Sequence, residues 1–183
     1  MDKKEIKAEI RQLLPTMNRK DIYQSLLEKG VHRETAARCL ASSPDMTAAA
    51  FHKDKTNILI TGMLLLMAAS IVLFLFVGLL DKSTDVGLVI GSIALFSLLL
   101  SWGFYKNSLL AYNVYIVIAL IQFPSLFEDF MASPVMNMIM LSINVFLFAL
   151  VWFLRSKIYP DGGWFGPRKV KGNYVFTDSQ GVS

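Results

Sequence analysis

The chain has 183 residues, 54% of them hydrophobic and 17% charged, with a formal net charge of +4. The polar pieces, Met1–Thr56 and Arg155–Ser183, are too small for a large enzyme core, since chains below about 40 residues seldom fold unaided and one of about 60 is marginal. On so apolar a chain, a modest positive charge reports orientation and attraction to anionic lipid rather than nucleic acid.

Residues 1–42 read as a cytosolic helical bundle. Asp2 and Glu5 have capping-box spacing ahead of Ile6, Ile10, Leu13 and Leu14, and Pro15 stops the helix. Asn18 is placed to cap a second helix carrying Ile22, Tyr23, Leu26 and Leu27. Gly30 stands where a left-handed C-terminal cap belongs. Arg33–Leu40 forms a third helix with Ala36, Ala37 and Leu40 facing in. Ser43-Pro44 reads as cap and first residue of a linker helix over 43–56. The start, MDKKEIKAE, lacks the apolar core of a cleavable signal, so the first long apolar run is expected to act as a retained insertion signal. The single cysteine, Cys39, allows no intramolecular disulfide and suits a reducing compartment.

Four charge-free runs follow, at 57–80, 86–105, 108–127 and 134–154. As a helix the first is about 36 Å long, enough to cross a hydrocarbon layer of about 30 Å. The connections are too short for anything but antiparallel hairpins. The expected fold is therefore all-α: a four-helix transmembrane bundle of two hairpins behind a small N-terminal module. Met1–Thr56 carries eleven Lys/Arg against eight Asp/Glu, and Arg155–Ser183 five against two. Lys106 lies in the turn between runs two and three, whereas the other two connections are net acidic. The positive-inside rule then places both termini in the cytosol, with Trp102, Tyr105 and Trp152 in the inner aromatic belt. A plasma membrane is implied, and small size with no luminal part suits a bacterial inner membrane.

No ionisable residue interrupts these runs, which argues against a pump or proton-coupled transporter. Their amides and hydroxyls, Asn113, Gln122, Asn137, Asn144 and Ser97, suit interhelical hydrogen bonds, with Gln122 and Asn137 at matched depth in adjacent helices. Gly87, Gly91, Ala94 and Ser101 form a small-residue stripe that would let helices approach closely. Among the ionisable and nucleophilic residues no catalytic, metal or cofactor pattern emerges. His32, His52 and Cys39 lack metal-ligand spacing, and there is no nucleophile elbow, P-loop or dinucleotide fingerprint. The expectation is a non-enzyme.

Ile22–Leu40 resembles a helix-turn-helix, which would present Arg33, Glu34 and Arg38 on its second helix. It departs from that pattern at Lys29 and Ala36, and equally resembles a ubiquitin-associated-type three-helix fold. Those three residues are accordingly read as a docking surface for a cytosolic protein, not for nucleic acid. In the tail, 155–183, Trp164, Phe165, Arg168, Lys169 and Lys171 combine rings and cations as an interfacial strip on anionic lipid does; folding back on the N-terminal bundle is the alternative. Gly172-Asn173 has hairpin spacing. The leading expectation is a multi-pass anchor, scaffold or sensor that docks a cytosolic partner through its N-terminal module. The alternatives are a homo-oligomeric pore lined by Asn137 and Asn144, and, third, a membrane-tethered DNA-binding regulator.

Overall fold

Asp2 opens the first helix, α1 (Lys3–Leu13), as a capping box: its carboxylate accepts from the first-turn backbone while its own N–H donates to Glu5 at 2.9 Å. This satisfies amides that the helix itself leaves unpaired. The second helix, α2 (Arg19–Glu28), starts after Asn18, whose backbone is extended as a cap requires but whose side chain makes no capping hydrogen bond, contrary to expectation. Its end is a Schellman closure. Gly30, at φ 77, donates to Leu27 O and Val31 donates to Leu26 O, the reciprocal pattern that a left-handed residue permits. The third helix, α3 (Arg33–Ala41), buries Ala36, Ala37 and Leu40, and these pack with Ile6, Ile10, Ile22 and Leu26 into one core.

The computed structural model describes residues 2–80, 84–124, 134–163 and 166–176, and they are mostly helical. A short helix, α4 (Met46–Phe51), comes next, and here the structure departs from the expected linker. Asp45, not Ser43, is the cap: its carboxylate accepts from Thr47 N and Ala48 N, both at 3.0 Å. The Ser43 hydroxyl instead donates back to Cys39 O. A turn at His52 separates α4 from α5 (Lys53–Leu80).

The remaining helices are α6 (Thr84–Tyr105), α7 (Leu109–Gln122) and α8 (Pro134–Ile158). Within the third apolar run α7 ends at Gln122, because Pro124 brings neither an N–H nor room for its ring against the preceding turn; residues 125–127 of that run lie outside the described residues. The last helix continues past Leu154 to Ile158, placing Arg155 and Lys157 in its final turn, where cations favour the helix dipole. Among the described residues, Asn137–Ile158 is long and apolar enough to cross a membrane; Gly91–Tyr105 and Leu109–Gln122 are shorter apolar stretches. The connections at 81–83 and 125–133 lie outside the described residues.

The tail forms a small antiparallel sheet, β1 (Lys169–Val170) with β2 (Asn173–Tyr174), in the register Lys169 with Tyr174 and Val170 with Asn173. The turn is Lys171-Gly172, one residue earlier than the sequence suggests. Both hold left-handed backbone, at φ 49 and 82, as a two-residue hairpin turn of this hand requires, and Asn173 is drawn into the strand. The chain divides into two units: Met1–Ala50 with Arg155–Ser183, and Phe51–Leu154.

Candidate functional site

The first unit is built from both ends of the chain, and one side chain joins them. Arg19, at the start of α2, is fully buried. Its guanidinium donates to Leu40 O at 3.2 Å, to Ser43 O at 3.1 Å and to the Asp161 carboxylate at 3.2 Å. It thus neutralises the carbonyl end of α3 and pairs with an equally buried acid of the tail. Asp45 N donates to Ile158 O at 2.8 Å, and Arg155 donates to the carbonyls of Gly162 and Gly163. Tyr23 holds the far end of the tail through ring contacts with Tyr174 and Phe176. The tail therefore packs on the N-terminal bundle, the alternative left open by the sequence. Neither Arg19 nor Asp161 carries a local sequence signal, being 142 positions apart.

Two adjoining clefts flank α3. One, of about 400 Å³, lies between α3 and the tail and is lined by Glu34, Arg38, Gly163, Gly166, Pro167, Arg168, Lys169 and Tyr174. The other, of about 410 Å³, runs between α1 and α3 past Lys3, Lys7, Glu34, Arg38 and Cys39. Glu34 and Arg38 wall both, and pair with each other at 2.6 Å on the exposed face of α3. Five cations and one acid line the two spaces together. Burial pushes the Cys39 thiol above its ordinary range, against the opposing pull of Lys7 and Lys3, so it remains a thiol and a poor nucleophile. Lys169 lies over the Tyr174 ring at 4.8 Å.

Of the expected docking residues, Glu34 and Arg38 thus meet Arg168 and Lys169 in one cleft, and Arg33 is exposed on the same helix. Lys171 is exposed at the hairpin tip. Trp164 and Phe165 lie outside the described residues. Lys3 and Lys7 were missed by the sequence reading: on α1 they look like any solvated helix face, and only its packing against α3 brings them beside Arg38.

The second unit has a half-open cavity of about 510 Å³, to which α5, α6, α7 and α8 all contribute. Three of the predicted polar residues, Ser97, Gln122 and Asn144, meet there. Asn113 and Asn137 are half-buried elsewhere on α7 and α8. The small-residue stripe does not mark a close approach at Gly91, where an added Cβ would meet nothing within 4 Å among the described residues. Ala94 is half-buried, the Ser101 hydroxyl donates to Ser97 O at 2.8 Å, and the surroundings of Gly87 lie outside the described residues. The close approach falls instead at Gly103, where a Cβ would stand 2.5 Å from that of Ala111. No group of three or more His, Cys, Asp or Glu gathers as metal ligands do among the described residues. No family model, curated protein or solved structure matches the chain.

Proposed function

We propose that the chain is a four-span membrane anchor that docks an acidic segment of a cytosolic protein on the composite unit formed by its N-terminal helices and its tail. The observation that carries this reading is the pair of adjoining clefts lined by Lys3, Lys7, Arg38, Arg168 and Lys169 against the single acid Glu34. Interfaces of this kind gain rate and selectivity from complementary charge. The tail beside α3 narrows that face to a cleft, which suits an extended acidic peptide better than a DNA duplex.

The spanning part of the reading is supported by surface chemistry. From Asn57 onward in α5 and from Val86 onward in α6 no side chain is charged, as in helices covered by lipid. Leu65, Val72, Leu95, Leu110 and Ile121 are each more than half exposed in the chain alone. Exposed Trp102, Tyr105 and Trp152 fall near helix ends, the level of an aromatic belt, and the basic segments put both termini in the cytosol, at a plasma or bacterial inner membrane. The pore reading has less support, because Asn144 lines a cavity to which all four long helices of one chain contribute.

The deciding experiment is native mass spectrometry of the full chain, gently extracted from its own host's membranes. A soluble protein should be retained by the unaltered chain and lost from the Lys7→Glu/Arg168→Glu variant. A complex indifferent to these reversals overturns the proposal. Retention of anionic lipid alone, lost on the same reversals, would assign the clefts to the membrane surface instead.

A further inference from the structure

The cavity of the second unit is distinct from the docking clefts, and its lining has a specific chemical character. Its volume, about 510 Å³, falls within the range of about 300–1,000 Å³ typical of small-molecule sites. Among the described residues the wall contains no Lys, Arg, Asp, Glu or His. A charged ligand would therefore shed its hydration without gaining a counter-ion, which is strongly unfavourable. Most of the lining is hydrocarbon, from residues such as Met63, Ile118 and Leu147.

Five side chains interrupt the hydrocarbon with hydrogen-bonding groups: Ser92, Ser97, Tyr115, Gln122 and Asn144. Tyr115 is the most informative. It is only 9% exposed, and its ring centroid lies 6.1 Å from that of Phe104. Its hydroxyl makes no hydrogen bond to any described residue. A phenol so placed is normally satisfied, because burying it without a partner is costly. A ligand bearing an oxygen acceptor would satisfy it.

We propose that this cavity binds an uncharged amphiphile, a molecule with a hydrocarbon body and a hydroxyl or carbonyl end that accepts a hydrogen bond from Tyr115. The polar end lies among uncharged hydroxyl and amide groups, and the body among the aliphatic side chains of α5, α7 and α8. The membrane anchor would thereby also carry a lipophilic ligand.

The test uses the full chain in phosphatidylcholine nanodiscs and a long-chain fatty alcohol bearing a photoreactive diazirine. Labelling should saturate and map to peptides of α7 and α8 around Tyr115 and Asn144. Excess unlabelled alcohol should suppress it, whereas the alkyl sulfate of the same chain length should not. Tyr115→Phe should weaken half-saturation by about three- to tenfold, the loss of one hydrogen bond. Ala119→Trp, which fills the space, should abolish the saturable component. Should that bulky substitution prevent folding, the Tyr115→Phe shift and the competition on unaltered protein decide. Labelling that rises without saturation, as bulk lipid gives, overturns the proposal; so does equal competition by the sulfate. Lys7→Glu/Arg168→Glu should label as the unaltered chain does, which separates this result from the fate of the docking clefts.

Discussion

In the unit formed by Met1–Ala50 and Arg155–Ser183, apolar side chains turn inward and charged ones outward. Ile6, Ile10, Ile22 and Leu40 are sealed, while Lys3, Lys7, Glu34 and Arg38 face water. In Phe51–Leu154 the long helices carry Leu65, Val72, Leu110 and Ile121 on the outside. The first unit hides its hydrocarbon within itself and the second leaves much of it to be covered by the surroundings. Their stabilities should accordingly rest on different interactions: a buried ion pair, caps and a core in the first, close helix contact in the second. Large apolar exposure is informative where a buried apolar core is not.

The largest expected effect breaks the first unit at its joint. Asp161→Ala leaves Arg19 charged and buried without its carboxylate and should cost about 3–5 kcal/mol. Thermal denaturation in detergent, with trypsin cleavage at Arg168 and Lys169 as a second readout, would show the loss. Arg19→Met/Asp161→Leu should recover most of that stability, since apolar replacement of both partners is often neutral. If the single substitution is silent, the pair does not hold the tail. The corresponding cut in the second unit is Gly103→Ala, which drives a methyl into Ala111 and should cost about 1–3 kcal/mol. It should lower the melting temperature of the full chain while leaving tryptic protection of the tail unchanged.

A smaller effect uses Cys39 as a reporter of the first unit. Its buried thiol is held above the ordinary value of 9.0. The folded state thus favours the protonated form, and the stability this gives is full below 9.0 and declines as pH rises above it. Maleimide labelling should be slow at neutral pH and accelerate on alkaline or denaturant opening; rapid labelling of the native chain would contradict the burial. The smallest effect belongs to Glu34→Gln, which removes one exposed pair four residues apart on a helix, worth about 0.3–0.5 kcal/mol. Its consequence for docking should be the larger one: Arg38 is freed, and acidic-partner affinity should rise when measured on the full chain.

How much of this could be read in advance follows from the range of the interactions. Asp2 with Glu5, and Gly30 after α2, act over three or four residues, and the sequence displays them openly. The apolar runs at 57–80 and 86–105 are legible because composition alone marks them as long helices. By contrast, Arg19 with Asp161, and Gly103 against Ala111, depend on how distant or adjacent elements come to rest. The Gly87–Gly91–Ala94 spacing announced a contact more clearly than the lone Gly103 did, yet the approach occurs at Gly103. Ser43-Pro44 has the conventional form of a helix start, but the helix begins two residues later, where the Asp45 carboxylate caps Thr47 and Ala48. At the candidate sites, Ser97, Gln122 and Asn144 were visible as polar interruptions, while Tyr115 was hidden among the aromatic residues of the chain.

The junction between Arg19 and Asp161 also sets an order of events during synthesis. The bundle's arginine emerges 142 residues before its acid, and at about 5–20 residues per second a ribosome takes roughly 7–30 s to supply it. Throughout that interval the guanidinium has backbone carbonyls but no counter-charge, and the cleft between α3 and the tail lacks its C-terminal wall. The four long helices lie wholly between the two halves of the joint. A truncated chain would therefore present an unfinished surface, and the completed first unit exists only after the last helix has been made.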